Sequence, residues 1–155
     1  MDFEILIQKI KQTDFQKHLD HLKKQLAHKR ILLYGHGKLS KFLLETYNFE
    51  GLNIVGISDK SFYYSPPKSS SKFYFPYEIT PHIADTILVM AYNFPSIQDY
   101  LEKFIETFAL FDIMSVLPEE FWGEIEFQKE STLPKNISIE VTNRCNLHCT
   151  MCPMH

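Results

Sequence analysis

An apolar stripe runs through the first thirty residues. Phe15, Leu19, Leu22 and Leu26 recur at spacings of four, three and four, which places them on one face of a helix. Thr13, followed three positions later by Gln16, has the form of a capping box, so this helix is predicted to start near Asp14. Lysines and histidines crowd its end, where a helix dipole favours positive charge. Residues 1–29 are therefore expected to form a helical segment that lays its apolar face on the unit that follows.

The period changes at Arg30. In "RILLYGHGKLSKFLLETYNFEGLNIVGISDKS", the run "ILLY" has the length and character of a strand buried on both faces. "GHGKLS" turns the chain into a helix whose Leu39, Phe42, Leu43 and Thr46 are predicted to face the sheet. "NIVGIS" is a second strand, with Asp59 at its carboxyl end. "SPPKSSSKFYFP" is rich in Ser, Pro and Lys and reads as an exposed loop. Regular structure resumes with the buried strand "TILVMA". The helix "PSIQDYLEKFIETFA" follows, with Tyr100, Leu101, Phe104, Ile105 and Phe108 on one face, and "FDIMSV" is a last strand. Strands alternating with helices predict an α/β fold: a Rossmann-like, mostly parallel sheet with flanking helices over residues 30–117. Leu117 and Pro118 close that unit, and residues 118–135 read as a linker. "ISIEVT" opens a fresh strand in the segment 136–155.

Composition narrows the setting. The net charge of −3 comes without a long basic run, which speaks against a nucleic-acid partner. No apolar run approaches the roughly 20 residues of a membrane span. Acidic residues occupy the amino terminus, where a secretory signal would be positive. A cytoplasmic location is the expectation, and in that reducing compartment clustered cysteines point to metal or redox chemistry before a disulfide.

Two groups of residues carry candidate chemistry. Gly35-x-Gly37-x-x-Ser40 follows a strand and opens a helix. In a dinucleotide fold the first glycine permits the tight turn, the second lets a pyrophosphate approach the backbone, and the third position needs a small residue. Asp59 lies 22 residues beyond Gly37, near the spacing at which an acidic side chain holds a ribose hydroxyl. Gly35, Gly37 and Asp59 are thus candidate cofactor-binding residues, set against the plainer reading of a tight βα turn and, at His36, a solvated loop histidine. The region resembles the small Rossmann-like domains that precede catalytic modules in sugar-modifying enzymes, which share a "GHGK"-like turn and an "IVGI-D" strand.

The second group is "CNLHCTMCPMH", which holds all three cysteines, Cys145, Cys149 and Cys152. A disulfide leaves an odd thiol, and unrelated buried cysteines do not bunch at this spacing. Zinc could take the three thiolates with His148 or His155, although structural zinc sites usually draw ligands from two separated segments. An iron–sulfur cluster could also take three thiolates and keep one iron free of protein.

The stretch "ISIEVTNRCNLHCTMCPMH" resembles the opening of a radical S-adenosylmethionine (radical SAM) core, particularly its SPASM-like branch. That resemblance covers about 19 residues. It implies that Cys145, Cys149 and Cys152 hold a 4Fe-4S cluster whose fourth iron is chelated by S-adenosylmethionine. Reduction by an electron donor would then release methionine and a 5′-deoxyadenosyl radical, which takes a hydrogen atom from a small-molecule or peptide substrate. It also implies that Met151, just before the third cysteine, lies near the adenine; the family more often has an aromatic residue there. A full β/α barrel runs to about 250 residues, so the resemblance leads to the expectation of a truncated, catalytically incompetent fragment of a radical SAM enzyme. The other readings are a nucleotide- or nucleotide-sugar-binding module and a zinc-binding interaction protein.

Overall fold

The computed structural model describes residues 2–64 and 72–123. The chain begins with two helices, α1 (Phe3–Gln12) and α2 (Phe15–Gln25). Phe15, Leu19, Leu22 and Leu26 are all buried, as their spacing predicts. Leu6, Ile7 and Ile10 of α1 add a second buried stripe. The expected capping box at Thr13 does not form. Thr13 instead closes α1, its hydroxyl donating to the Ile10 carbonyl at 2.8 Å. Asp14 caps α2 by accepting from Lys17 N at 3.3 Å, and Gln16 turns outward, its Oε1 accepting from Asn48 N at 3.0 Å. Two helices meeting at adjacent residues leave each side chain one end to serve.

Among the described residues, five strands form one sheet: β1 (Arg30–Tyr34), β2 (Asn53–Ser58), β3 (Phe73–Tyr74), β4 (Thr86–Val89) and β5 (Asp112–Ser115). Their order is β3-β2-β1-β4-β5, and every neighbouring pair is parallel. Helix α3 (Lys38–Thr46) connects β1 to β2, and α4 (Phe94–Phe104) connects β4 to β5. The molecule is therefore α/β with a parallel sheet, as the alternation of elements predicts.

Both faces of the sheet are covered at its centre, which is why β1 and β4 read as nearly unbroken apolar runs. Ile31 and Leu33 face a core shared with Leu6, Phe15, Leu19, Leu39 and Leu43, so α1, α2 and α3 pack on that side. Leu32 and Tyr34 face the opposite core with Ile87, Val89, Leu101 and Ile105, under α4. Burying a Leu or Ile side chain in this way contributes about 1.5–3 kcal/mol.

Local pattern and packing part company in several places. Thr46 is exposed, and Ser40 is buried instead. β3 is a two-residue strand inside the segment expected to be an exposed loop, and it pairs with Ile57 and Ser58 of β2. A short 3-10 turn, Lys60–Tyr63, stands where a crossover helix would follow β2. Helix α4 ends at Phe104, short of the predicted Ala109, and Phe104 is 56% exposed although the helical period assigns it to the buried face. Leu101 and Ile105 centre that face on the sheet, and Phe104 falls past its edge. Beyond Leu117 the packing continues: Phe121 is buried, and the Trp122 ring nitrogen donates to Ser115 Oγ at 3.0 Å. Residues 118–123 thus pack on the sheet unit, although they fall in the predicted linker. Among the described residues, no helix is long and apolar enough to cross a membrane. The predicted strand "ISIEVT" and the three cysteines lie outside the described residues.

Candidate functional site

The order of the strands places a gap in the sheet's covering. From β1 the chain moves one way through α3 to β2, and from β4 it moves the other way through α4 to β5. The helices sit on opposite faces, so the loops leaving the carboxyl ends of β1 and β4 diverge. A crevice opens between them, the usual ligand position in open α/β sheets. Here it is a cavity of about 240 Å³, with Tyr34, Gly35, Gly37, Asp59, Lys60 and Asn93 in its wall. The three cofactor-binding candidates Gly35, Gly37 and Asp59, dispersed in sequence, all reach this one cavity.

The two glycines have different physical reasons to be glycine. Gly35 has φ +115°, and a Cβ there would lie 3.2 Å from the Met90 carbonyl oxygen. Its amide donates to the Ser58 carbonyl at 2.8 Å, which locks the turn across the top of β2. Gly37 has φ −99°, open to any residue, and a Cβ there would meet nothing within 4 Å. Among the described residues, nothing in the fold requires glycine at 37, and Gly37 lies in the cavity wall. Ser40, the third position of the motif, is 2% exposed, and its hydroxyl donates to the Gly37 carbonyl at 2.8 Å. Its small side chain satisfies itself within the turn while the helix packs close to the strand.

Two helix starts border the crevice. Gly37 is the N-cap of α3 and Asn93 the N-cap of α4, and neither helix has a side-chain cap. The first amides of a helix have no intrahelical partner and carry the positive end of its dipole. Two such ends beside one cavity, with Lys38 and Lys60 against the single carboxylate of Asp59 in its wall, tilt its surroundings toward an anion.

Asp59 is already engaged. One carboxylate oxygen accepts from His36 N and the other from Ser61 N, both at 2.7 Å. The carboxylate therefore ties the glycine turn to the 3-10 turn after β2. Each oxygen keeps a further lone pair for a ligand hydroxyl. His36 is exposed, its ring edge-on to Phe62 at 5.6 Å.

Sequence patterning misses Tyr34, the last residue of the "ILLY" run. It is 2% exposed, and its hydroxyl has no hydrogen-bond partner among the described residues. Burial first, then the neighbouring Tyr100 and the negative charge of Asp59, push its phenol far above the usual value. At neutral pH it is a protonated hydroxyl, able to donate and to accept. A polar tip at the carboxyl end of a buried parallel strand is the sequence signal that could have found it.

The described residues contain no cluster of three or more His, Cys, Asp or Glu side chains arranged to hold a metal ion. Cys145, Cys149, Cys152 and Met151 lie outside the described residues. No protein-family model, curated protein or solved structure matches the chain.

Proposed function

We propose that this chain serves a radical SAM protein and that its α/β unit binds a phosphate-bearing, nucleotide-like ligand. The observation that carries the binding reading is the crevice at the switch point, where Gly37 leaves open space beside two uncapped helix starts. A phosphate seated over Gly37 would meet the amides of α3, with Lys60 and Asp59 in the same cavity wall. Calorimetry of the 155-residue chain with a panel of nucleotides and nucleotide sugars tests it. The expected result is saturable heat from at least one of them, with affinity reduced about tenfold or more in Gly37→Val. No heat from any ligand, or undiminished binding in that variant, would overturn it.

The radical SAM reading rests on Cys145, Cys149 and Cys152 with their flanking residues. Three thiolates with three and then two residues between them suit the all-sulfur preference of iron–sulfur clusters. With a cluster and S-adenosylmethionine bound, the site would supply one-electron cleavage chemistry, and Met151 would line the nucleoside side. Anaerobic reconstitution with iron and sulfide is expected to give oxygen-sensitive visible absorbance that requires all three cysteines. Full absorbance in Cys149→Ala, or stoichiometric zinc without iron in the purified protein, would contradict it.

A further inference from the structure

A second cavity, of about 500 Å³, adjoins the switch-point crevice. Lys60 lies in the wall of both. Beyond Lys60 the second cavity is walled by Ser61, Tyr63, Tyr64, Tyr100 and Phe104. Four of these six residues are aromatic, and three of the four are exposed: Tyr63 at 46%, Tyr64 at 92% and Phe104 at 56%. Exposing so many large rings at one opening is unfavourable unless something covers them.

The rings are also held in place. Tyr100 and Phe104 stack at 4.5 Å between centroids, one turn apart on α4. Tyr63 packs against Phe75 at 5.8 Å and Tyr77 at 5.9 Å, which anchors the opposite wall. The Lys60 ammonium lies over the Tyr100 ring at 6.0 Å. Its charge is therefore placed at the junction, between the anion-favouring crevice and the aromatic walls.

We propose that this aromatic cavity is a subsite for the base of a nucleotide whose phosphates occupy the crevice, with Lys60 bridging the two parts. The inference rests on the phosphate-binding reading above and specifies the ligand's other end. A flat ring suits these walls better than a sugar does. Sugar hydroxyls call for directional partners such as carboxylates and carboxamides, and the described residues of this lining include none. Stacking on aromatic rings works for any base, so the walls select for a ring without choosing among bases.

The test compares four ligands on the full chain: pyrophosphate, ribose 5-phosphate, ADP and UDP. Titration calorimetry gives the affinities, and Tyr64→Ala and Phe104→Ala probe the walls. Both side chains are exposed, so both variants are expected to keep the wild-type circular dichroism spectrum. The expected result is that ADP and UDP bind about tenfold or more tightly than pyrophosphate, in line with stacking worth roughly five- to hundredfold per base. Each variant should reduce that preference severalfold and leave pyrophosphate affinity unchanged. Equal affinities for pyrophosphate and the nucleotides would overturn the ring subsite alone, as would ribose 5-phosphate matching the nucleotides. Survival of the full preference in both variants would do the same. Absence of binding by all four ligands would overturn the crevice reading as well.

Discussion

At the amino ends of β1 and β4, Arg30 and Asp85 hold each other. The Arg30 guanidinium donates to Asp85 Oδ1 at 2.6 Å and to Oδ2 at 3.1 Å, and the Arg30 amide adds a bond to Oδ2 at 2.8 Å. The same guanidinium reaches the carbonyls of Pro81 and His82, and Lys29 pairs with Asp112 nearby. At the carboxyl ends of the same strands the pattern reverses. There the helix starts lack side-chain caps, Gly37 faces open space and Tyr34 has no partner for its hydroxyl among the described residues. An unpartnered hydroxyl alone does not mark a site, since Thr86 carries one at the amino end. What distinguishes the carboxyl end is a cavity beside groups that fold-internal bonds leave free. One end of the sheet is cross-linked by a charged pair, whereas the other, apart from the bonds Asp59 makes to His36 and Ser61, borders a cavity.

Four substitutions can break or sharpen that contrast. The largest effect is expected at Gly35, the one carboxyl-end position where the backbone itself demands glycine. Gly35→Ala forces a side chain into positive φ and toward the Met90 carbonyl, and should cost about 1–3 kcal/mol in urea unfolding. Unchanged stability would show that the turn relaxes freely. Gly37→Ala should separate binding from folding: stability within about 1 kcal/mol of wild type, because the gain from a permissive φ is offset by alanine's poorer capping at an N-cap position, with nucleotide affinity down about tenfold. A loss of stability of more than about 1 kcal/mol would mean that the fold, not a ligand, requires that glycine.

At the cross-linked end the readout is pH. Hydrogen bonds from the Arg30 side chain, then from its amide, hold the Asp85 carboxyl at about 2, below the usual value of about 3.9. The native state therefore binds this proton less readily than the unfolded chain does. The stability it contributes is present above about pH 4 and is lost as pH falls toward about 2. Asp85→Asn should lower Tm at neutral pH, flatten the acid decline in that window and leave nucleotide affinity unchanged. A decline as steep as wild type would assign it to other carboxylates. The smallest effect is expected for Tyr34→Phe, which removes a buried hydroxyl that has no hydrogen-bond partner among the described residues. Stability should rise by no more than about 1 kcal/mol, while nucleotide affinity falls a fewfold. Unaltered affinity would place that hydroxyl outside the ligand's reach.

Much of this architecture was legible in the residues. "ILLY", "NIVGIS", "TILVMA" and "FDIMSV" all became strands; in β1 and β4, buried on both faces, that reflects an apolar side chain at nearly every position. The glycine turn was legible as well, since βα turns of this kind restrict which residues fit. Less legible were β3, two residues long within a polar stretch, and the junction of α1 and α2, where Thr13 and Asp14 both had the chemistry of a cap. In the site, Gly35, Gly37 and Asp59 could be nominated from spacing, but Tyr34, Lys60 and Tyr100 could not. Their meeting joins β1, the turn after β2 and α4, segments separated by tens of residues.

The local pattern by itself determined the α2, α3 and α4 helices and four of the described strands, because hydrophobic period is a property of neighbours in sequence. It also placed the turn that could admit a phosphate. Only the tertiary structure decided which apolar residues remain uncovered. Phe104 has the period of a core residue, yet it stands exposed beside Tyr100, because burial depends on whether another element lies opposite. The same holds for Asp59, whose spacing suggested a ribose partner and whose carboxylate first ties His36 to Ser61. A side chain's chemistry is written in its type, whereas its partners are chosen by the chain that folds against it.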